Sequence, residues 1–180
     1  MMSNQPDVAA LAKKAHDLGF RYEKEFRGCG QCFIAAVYDA LDLPYDALFK
    51  SLSGLAGGVG MVNDGNCGAY IGGALVLSSL VGRERDDFKD EIGKRFEAYG
   101  LARKLRDRFI EEYGTVTCGN IHQKIFGREF NLLDVKQMAA FDEMGGHTDK
   151  CPEVVGQAAA WVIEIMEEEG LLGNKTTGSV

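Results

Sequence analysis

The sequence predicts an all-α fold: a compact single-domain bundle of about six to eight helices around a buried central helix over 67–81. Three observations lead there. Apolar residues recur at spacings of three and four through most of the chain. No stretch alternates at period two for long enough to make a strand, 114–117 being the one candidate. The third is the central stretch itself, where a loop crowded with glycine (GLAGGVGMVNDGN) runs into Cys67 and then an apolar run, GAYIGGALVLSSLV, suited to burial on nearly all sides.

The elements follow in order. Val8, Leu11, Ala15, Leu18 and Tyr22 make a stripe that predicts a helix from about Asp7 to Phe26, with Asp7 placed to favour the positive helix start. Arg27-Gly28-Cys29-Gly30-Gln31-Cys32 interrupts it, and a second helix then turns Phe33, Val37, Ala40 and Leu41 inward before Pro44. A short third helix is expected from Tyr45 to about Leu55, ahead of the glycine loop. Gly82 and the charged cluster RERDD mark a turn after the central helix. Phe88, Ile92, Phe96, Tyr99, Leu105, Phe109 and Tyr113 predict a long, exposed helix over 87–113, with Gly93 and Gly100 as bends. Short helices are expected over 115–125 and 132–144, and Gly145 to Asp149 reads as a loop. A last helix from Pro152 to about Glu169 directs Val155, Ala158, Ala159, Val162, Ile165 and Met166 inward, and Gly170 stops it. One domain therefore covers 1–170, and 171–180 is expected to be a disordered tail.

Composition narrows the function. With 46% hydrophobic and 26% charged residues the chain is ordinary for a globular protein. Its net charge of −7 and lack of a basic stripe argue against nucleic acid or an anionic membrane as partner. The N-terminal residues show no signal-peptide pattern, and the apolar run from Cys67 to Val81 is too short to span a bilayer, so a cytoplasmic location is expected. In that reducing setting five cysteines call for a reason other than structural disulfides.

Four of them fall at predicted helix starts: Cys29 after Gly28, Cys67 after Asn66, Cys118 after Thr117, and Cys151 before Pro152. Helix N-termini carry unpaired N–H groups and partial positive charge, which stabilise a thiolate as nucleophile or metal ligand. Four such thiolates gathered together suit an iron–sulfur cluster or a tetrahedral zinc ion. Cys29 and Cys32 form a C-x-x-C dithiol fit for reversible disulfide chemistry, although no βαβ context surrounds it; Phe33, standing where a haem-attachment site needs histidine, argues against covalent haem. Cys118, His122, His147 and Cys151 form a Cys₂His₂ alternative for zinc, though a histidine in a Gly-Gly loop is usually solvated, and His16 reads as a surface residue. The central glycines fit neither the dinucleotide fingerprint nor the P-loop, which would need Lys after Gly65 where this chain has Asn66. Gly68 and Gly72 instead read as sites of close helix approach.

The placement of these cysteines resembles the redox-active proteins named for their C-GCAxxG-C-C signature. Cys29, the GLAGGVG loop with Cys67-Gly68-Ala69-Tyr70-Ile71-Gly72, Cys118 and Cys151 carry the resemblance from about Phe26 to Met166; the residues around Cys67 depart from the literal motif, and Cys32 is an addition. The resemblance implies redox activity, usually in anaerobic metabolism, and a distant relation to the iron–sulfur domain of split-Soret cytochromes. With the four helix starts it makes the leading expectation a small redox protein that binds an iron–sulfur cluster through Cys29, Cys67, Cys118 and Cys151 and transfers electrons. The alternatives are a thiol–disulfide oxidoreductase using Cys29 and Cys32, and a zinc-stabilised structural or adaptor domain. The expected partner is a redox protein or small electron carrier, and the stripe over 87–113 offers a surface for a homodimer.

Overall fold

A computed structural model describes residues 7–43 and 48–172, so the expected start of the third helix at Tyr45 and most of the C-terminal tail lie outside the described residues. The described chain forms seven α-helices: α1 Val8–Phe26, α2 Cys29–Ala40, α3 Gly68–Val81, α4 Lys94–Tyr113, α5 Cys118–Phe126, α6 Val135–Glu143 and α7 Cys151–Glu168. A 3₁₀ helix occupies Lys50–Leu55 and a π-helical turn Gly146–Lys150. Among the described residues the one strand candidate, 114–117, contributes only an isolated antiparallel bridge, Asn66 to Thr117. None of the described helices is long and apolar enough to cross a membrane.

α3 packs against α2, α4 and α7, and α7 against α1, α2, α3 and α4. α7 buries twelve of its eighteen residues, including all six predicted to face inward, and so lies deepest in the bundle. Each large apolar side chain fully removed from water there contributes roughly 1.5–3 kcal/mol before entropy is counted. Phe109 of α4 meets Trp161 of α7 and Tyr70 of α3 edge-on, with ring centroids 5.3 and 5.5 Å apart, which locks the three helices together.

Two stripes differ from expectation. On α1 the buried face is Ala12, Ala15, Gly19 and Glu23, while Val8, Leu11, Leu18 and Tyr22 flank it half-buried. Small residues win the buried positions because α1 and α7 approach too closely for larger ones. On α4 the buried stripe is Ala98, Leu101, Leu105, Phe109 and Tyr113, and the helix begins only at Lys94. Gly93 sits at φ 78°, and the Asp90 carboxylate accepts from the backbone N–H of Lys94 (2.6 Å) and Arg95 (3.1 Å), capping the helix there. Residues 87–93 are therefore turns outside the helix, and Phe88, Ile92, Phe96 and Tyr99 are exposed.

Candidate functional site

All four helix-start cysteines line one cavity of about 250 Å³. Cys29, Cys118 and Cys151 are the first residues of α2, α5 and α7, and Cys67 is the N-cap of α3. The fold brings four positive helix ends to one place. Two local features make this approach close. Arg27 and Gly28 both have positive φ (60° and 91°), so the chain reverses sharply between α1 and α2 and aims Cys29 inward. Opposite it, a Cβ on Gly68 would stand 2.4 Å from Cys29 Sγ and 2.9 Å from the Gly30 amide, so only glycine lets the two helix starts meet.

The glycine loop forms the next wall. Five successive residues, Gly57 to Met61, have φ between 59° and 71°, Val59 and Met61 among them. Non-glycine residues held there carry strain of order 1–2 kcal/mol each. The loop is tied down by backbone bonds: Asn63 N–H to Gly57 O, Gly65 N–H to Gly58 O, Cys118 N–H to Gly65 O and Gly119 N–H to Asn63 O. It is thereby stitched to the start of α5, and a Cβ on Gly58 would crowd Asn63 Cα at 2.7 Å and Cys118 Cβ at 3.0 Å. Glycine here serves a tight wall around sulfur, in keeping with the missing phosphate-loop lysine.

The fifth cysteine is placed differently. Cys32 is buried beside Glu23 and donates its thiol to the Arg27 carbonyl at 3.1 Å; it does not line the cavity. Cys29 instead faces the start of α3, its Sγ against Gly68 next to Cys67. Of the expected C-x-x-C pair, then, only Cys29 reaches the site.

Three of the sulfurs hold their protons tightly. The neighbouring Cys67 thiol and burial both push the Cys29 thiol up, while burial chiefly pushes up Cys151 and takes Cys118 to about 12. Glu23 is the unforeseen member. It is 3% exposed, it lines the cavity, its Oε2 has no hydrogen-bond partner, and burial raises its carboxyl to about 7.

The histidines differ among themselves. His16 lies at the surface with Asp17 and Glu153. His122 is 3% exposed, and burial lowers it to about 4. Its Nε2 lies 3.8 Å from Cys118 Sγ and 3.7 Å from Cys151 Sγ. His147, expected to be solvated in its glycine loop, is instead mostly buried: it meets Phe141 edge-on and pairs through Nδ1 with Asp142 Oδ1 at 2.5 Å. Asp142 Oδ2 also lies 3.7 Å from Arg27 Nη2, so α6 draws two cavity-lining side chains together. The remaining wall is apolar, with Ile121, Leu132, Met138, Phe141 and Val154. Among the described residues no three His, Cys, Asp or Glu side chains stand close enough to grip a single metal ion.

A helical bundle whose separate helix starts deliver four cysteines into one largely apolar cavity defines a protein of sulfur chemistry. Residues 28–165 match the profile of the family described as "Putative redox-active protein (C_GCAxxG_C_C)", and the chain belongs to that family. No curated protein and no solved structure matches the chain significantly.

Proposed function

We propose that the cavity holds an iron–sulfur cluster through Cys29, Cys67, Cys118 and Cys151, and that the protein transfers electrons. The observation that carries this reading is the presence of those four cysteines, each from a different helix start, on the wall of one cavity of about 250 Å³. The donor set suits the group: four thiolates are the usual cluster ligands, and helix N-termini stabilise the anion they form with it. A bound cluster supplies one-electron chemistry; this chain's residues hold it, keep water away with Ile121, Leu132 and Phe141, and keep Cys32 apart beside Glu23.

The test is anaerobic purification and reconstitution with ferrous iron and sulfide, followed by iron, sulfide and visible-absorption measurement. Iron and sulfide should be retained by the parent and by Cys32→Ser and lost in the Ser variants of the other four cysteines. A colourless, iron-free parent protein after reconstitution rejects the proposal.

The approach of Cys29 Sγ to Gly68, the neighbour of Cys67, favours a second reading, thiol–disulfide exchange with Cys29 and Cys67 as the working pair. It requires disulfide reductase activity in metal-free protein that survives Cys32→Ser; loss of that activity in Cys32→Ser, or no activity in the parent, excludes it.

A further inference from the structure

His122 stands between two of the four sulfurs, and the groups behind it decide which ring nitrogen carries the proton. The Asn63 side chain donates Nδ2–H to the Phe130 carbonyl at 2.5 Å. That bond fixes the amide, since the flipped orientation would set oxygen against oxygen. The same Nδ2 lies 3.5 Å from His122 Nδ1, and a second donor at Nδ1 would face it head-on, so Nδ1 is the acceptor side. A neutral imidazole has one N–H. It therefore sits on Nε2, the nitrogen within reach of both Cys118 Sγ and Cys151 Sγ.

The ring has little freedom to do otherwise. Phe141 stacks on it with centroids 5.1 Å apart, and Phe126 and Phe130 meet it edge-on at 5.4 and 6.1 Å. Asn63 is as firmly held, buried at φ 65° with its backbone bonded to Gly57 and Gly119.

We infer that His122 is a positioning residue of the cysteine cavity, sharing its Nε2–H between the sulfurs of Cys118 and Cys151 in a tautomer that Asn63 fixes. N–H donation stabilises negative charge on those two sulfurs and leaves Cys29 and Cys67 without the same help. It also removes the Nε2 lone pair, so in this tautomer His122 is a donor to the sulfurs and not a metal ligand. The inference shares the four-cysteine cavity with the proposed function; it stands whether the sulfurs hold iron or not, because the donation favours whatever thiolate Cys118 and Cys151 form.

Two measurements on reduced, metal-free protein test it. Imidazole ¹⁵N NMR is simple in a chain with three histidines, His16 and His147 being assigned by their Gln variants. The expected spectrum shows His122 protonated at Nε2 and bare at Nδ1; protonation at Nδ1 overturns the inference. In the second, iodoacetamide labelling is followed cysteine by cysteine by mass spectrometry across a pH series. His122→Phe suits the aromatic surroundings and should slow Cys118 and Cys151 about tenfold relative to Cys29 and Cys67 in the same molecules. His122→Gln, which keeps an N–H donor, should recover most of that ratio. An unchanged ratio in His122→Phe overturns the inference, and equal loss in both variants does so too. Failure to take up iron would reject the cluster and leave both of these readouts intact.

Discussion

Replacing Glu23 with glutamine should make the protein's stability depend on pH in a new way. Burial raises the Glu23 carboxyl from 4.5 to about 7 in the folded state. In the unfolded chain the proton leaves near pH 4.5, whereas the folded protein keeps it until about pH 7. The folded state thus binds more protons across that window, and stability falls as pH rises through it. At 1.36 kcal/mol per pH unit the full loss is about 3 kcal/mol, complete above pH 7. The side chain is 3% exposed, so solvent screening removes little of this. His122 acts with the opposite sign. Burial lowers it from 6.5 to about 4, so the unfolded chain binds the extra proton and stability rises with pH from about 4 to 6.5. The two slopes nearly cancel in the parent protein. Urea denaturation of reduced, metal-free parent and Glu23→Gln at pH 4.5 and pH 8 separates them, because His122 is common to both proteins. Glu23→Gln should gain about 3 kcal/mol on the parent between the two pH values, whatever the amide itself costs at either. A difference under about 1 kcal/mol refutes the view of Glu23 as a carboxyl whose ionisation is resisted by burial.

Gly68→Ala puts a methyl group against Cys29 Sγ and the Gly30 amide, and should destabilise by about 1–3 kcal/mol, read as a lower melting temperature. An unchanged melting temperature would mean the helix starts can part without penalty. Mild diamide oxidation of metal-free protein should link Cys29 to Cys67 in preference to Cys32, because Cys29 faces the start of α3 across the shared cavity and Cys32 points to the Arg27 carbonyl. Peptide mapping that finds chiefly Cys29–Cys32 contradicts that placement.

The helix starts were readable in the sequence because their signals are local. Gly28, Thr117 and Pro152 stand where a helix start needs them, and the cysteines beside them fall within a residue of the observed ends. Glu23 was not readable by the same means. A glutamate on a helix is usually solvated, and its burial follows from the small residues Ala12, Ala15 and Gly19, which turn that face toward α7. The spacing 12, 15, 19, 23 was the available signal, weaker than the larger apolar stripe beside it. The start of α4 departs from the periodicity for a related reason. Phe88 and Ile92 continue the helical period, but Gly93 and the Asp90 cap end it, and Phe88 and Phe96 lie under Arg83 and Arg95 at 4.3 and 4.5 Å instead of in the core. The glycines before His147 suggest a solvated loop, whereas Asp142 and Phe141 hold the side chain. Asn63 gave no sign, since its role depends on Phe130, far along the chain.

Three of the four sulfurs, those of Cys29, Cys118 and Cys151, are under opposed influences, and the balance bears on their chemistry. Helix ends favour thiolates; burial and the nearby negative charge of Glu23 disfavour them. With Cys118 raised to about 12, burial wins in the metal-free protein, and the thiolate fraction of that residue at pH 7 is about 10⁻⁵, against a few per cent for an ordinary thiol. Such a group is a poor nucleophile, which weighs against thiol exchange at Cys118 and Cys151. A cation that displaces the protons removes the obstacle, because each thiolate then gains a partner in the same step. Metal uptake should therefore release protons, one for each cysteine that becomes a ligand. Ferrous iron or zinc added anaerobically to weakly buffered, reduced protein at pH 7 should acidify the solution in proportion to the cysteines that become ligands, with apparent affinity rising as pH rises. Cys32→Ser should leave the number of protons released unchanged, since Cys32 is turned toward Arg27, and Cys118→Ser should lower it by one. Release near zero on stoichiometric metal binding would show that the thiols are already ionised, and burial would then have lost to the helix ends.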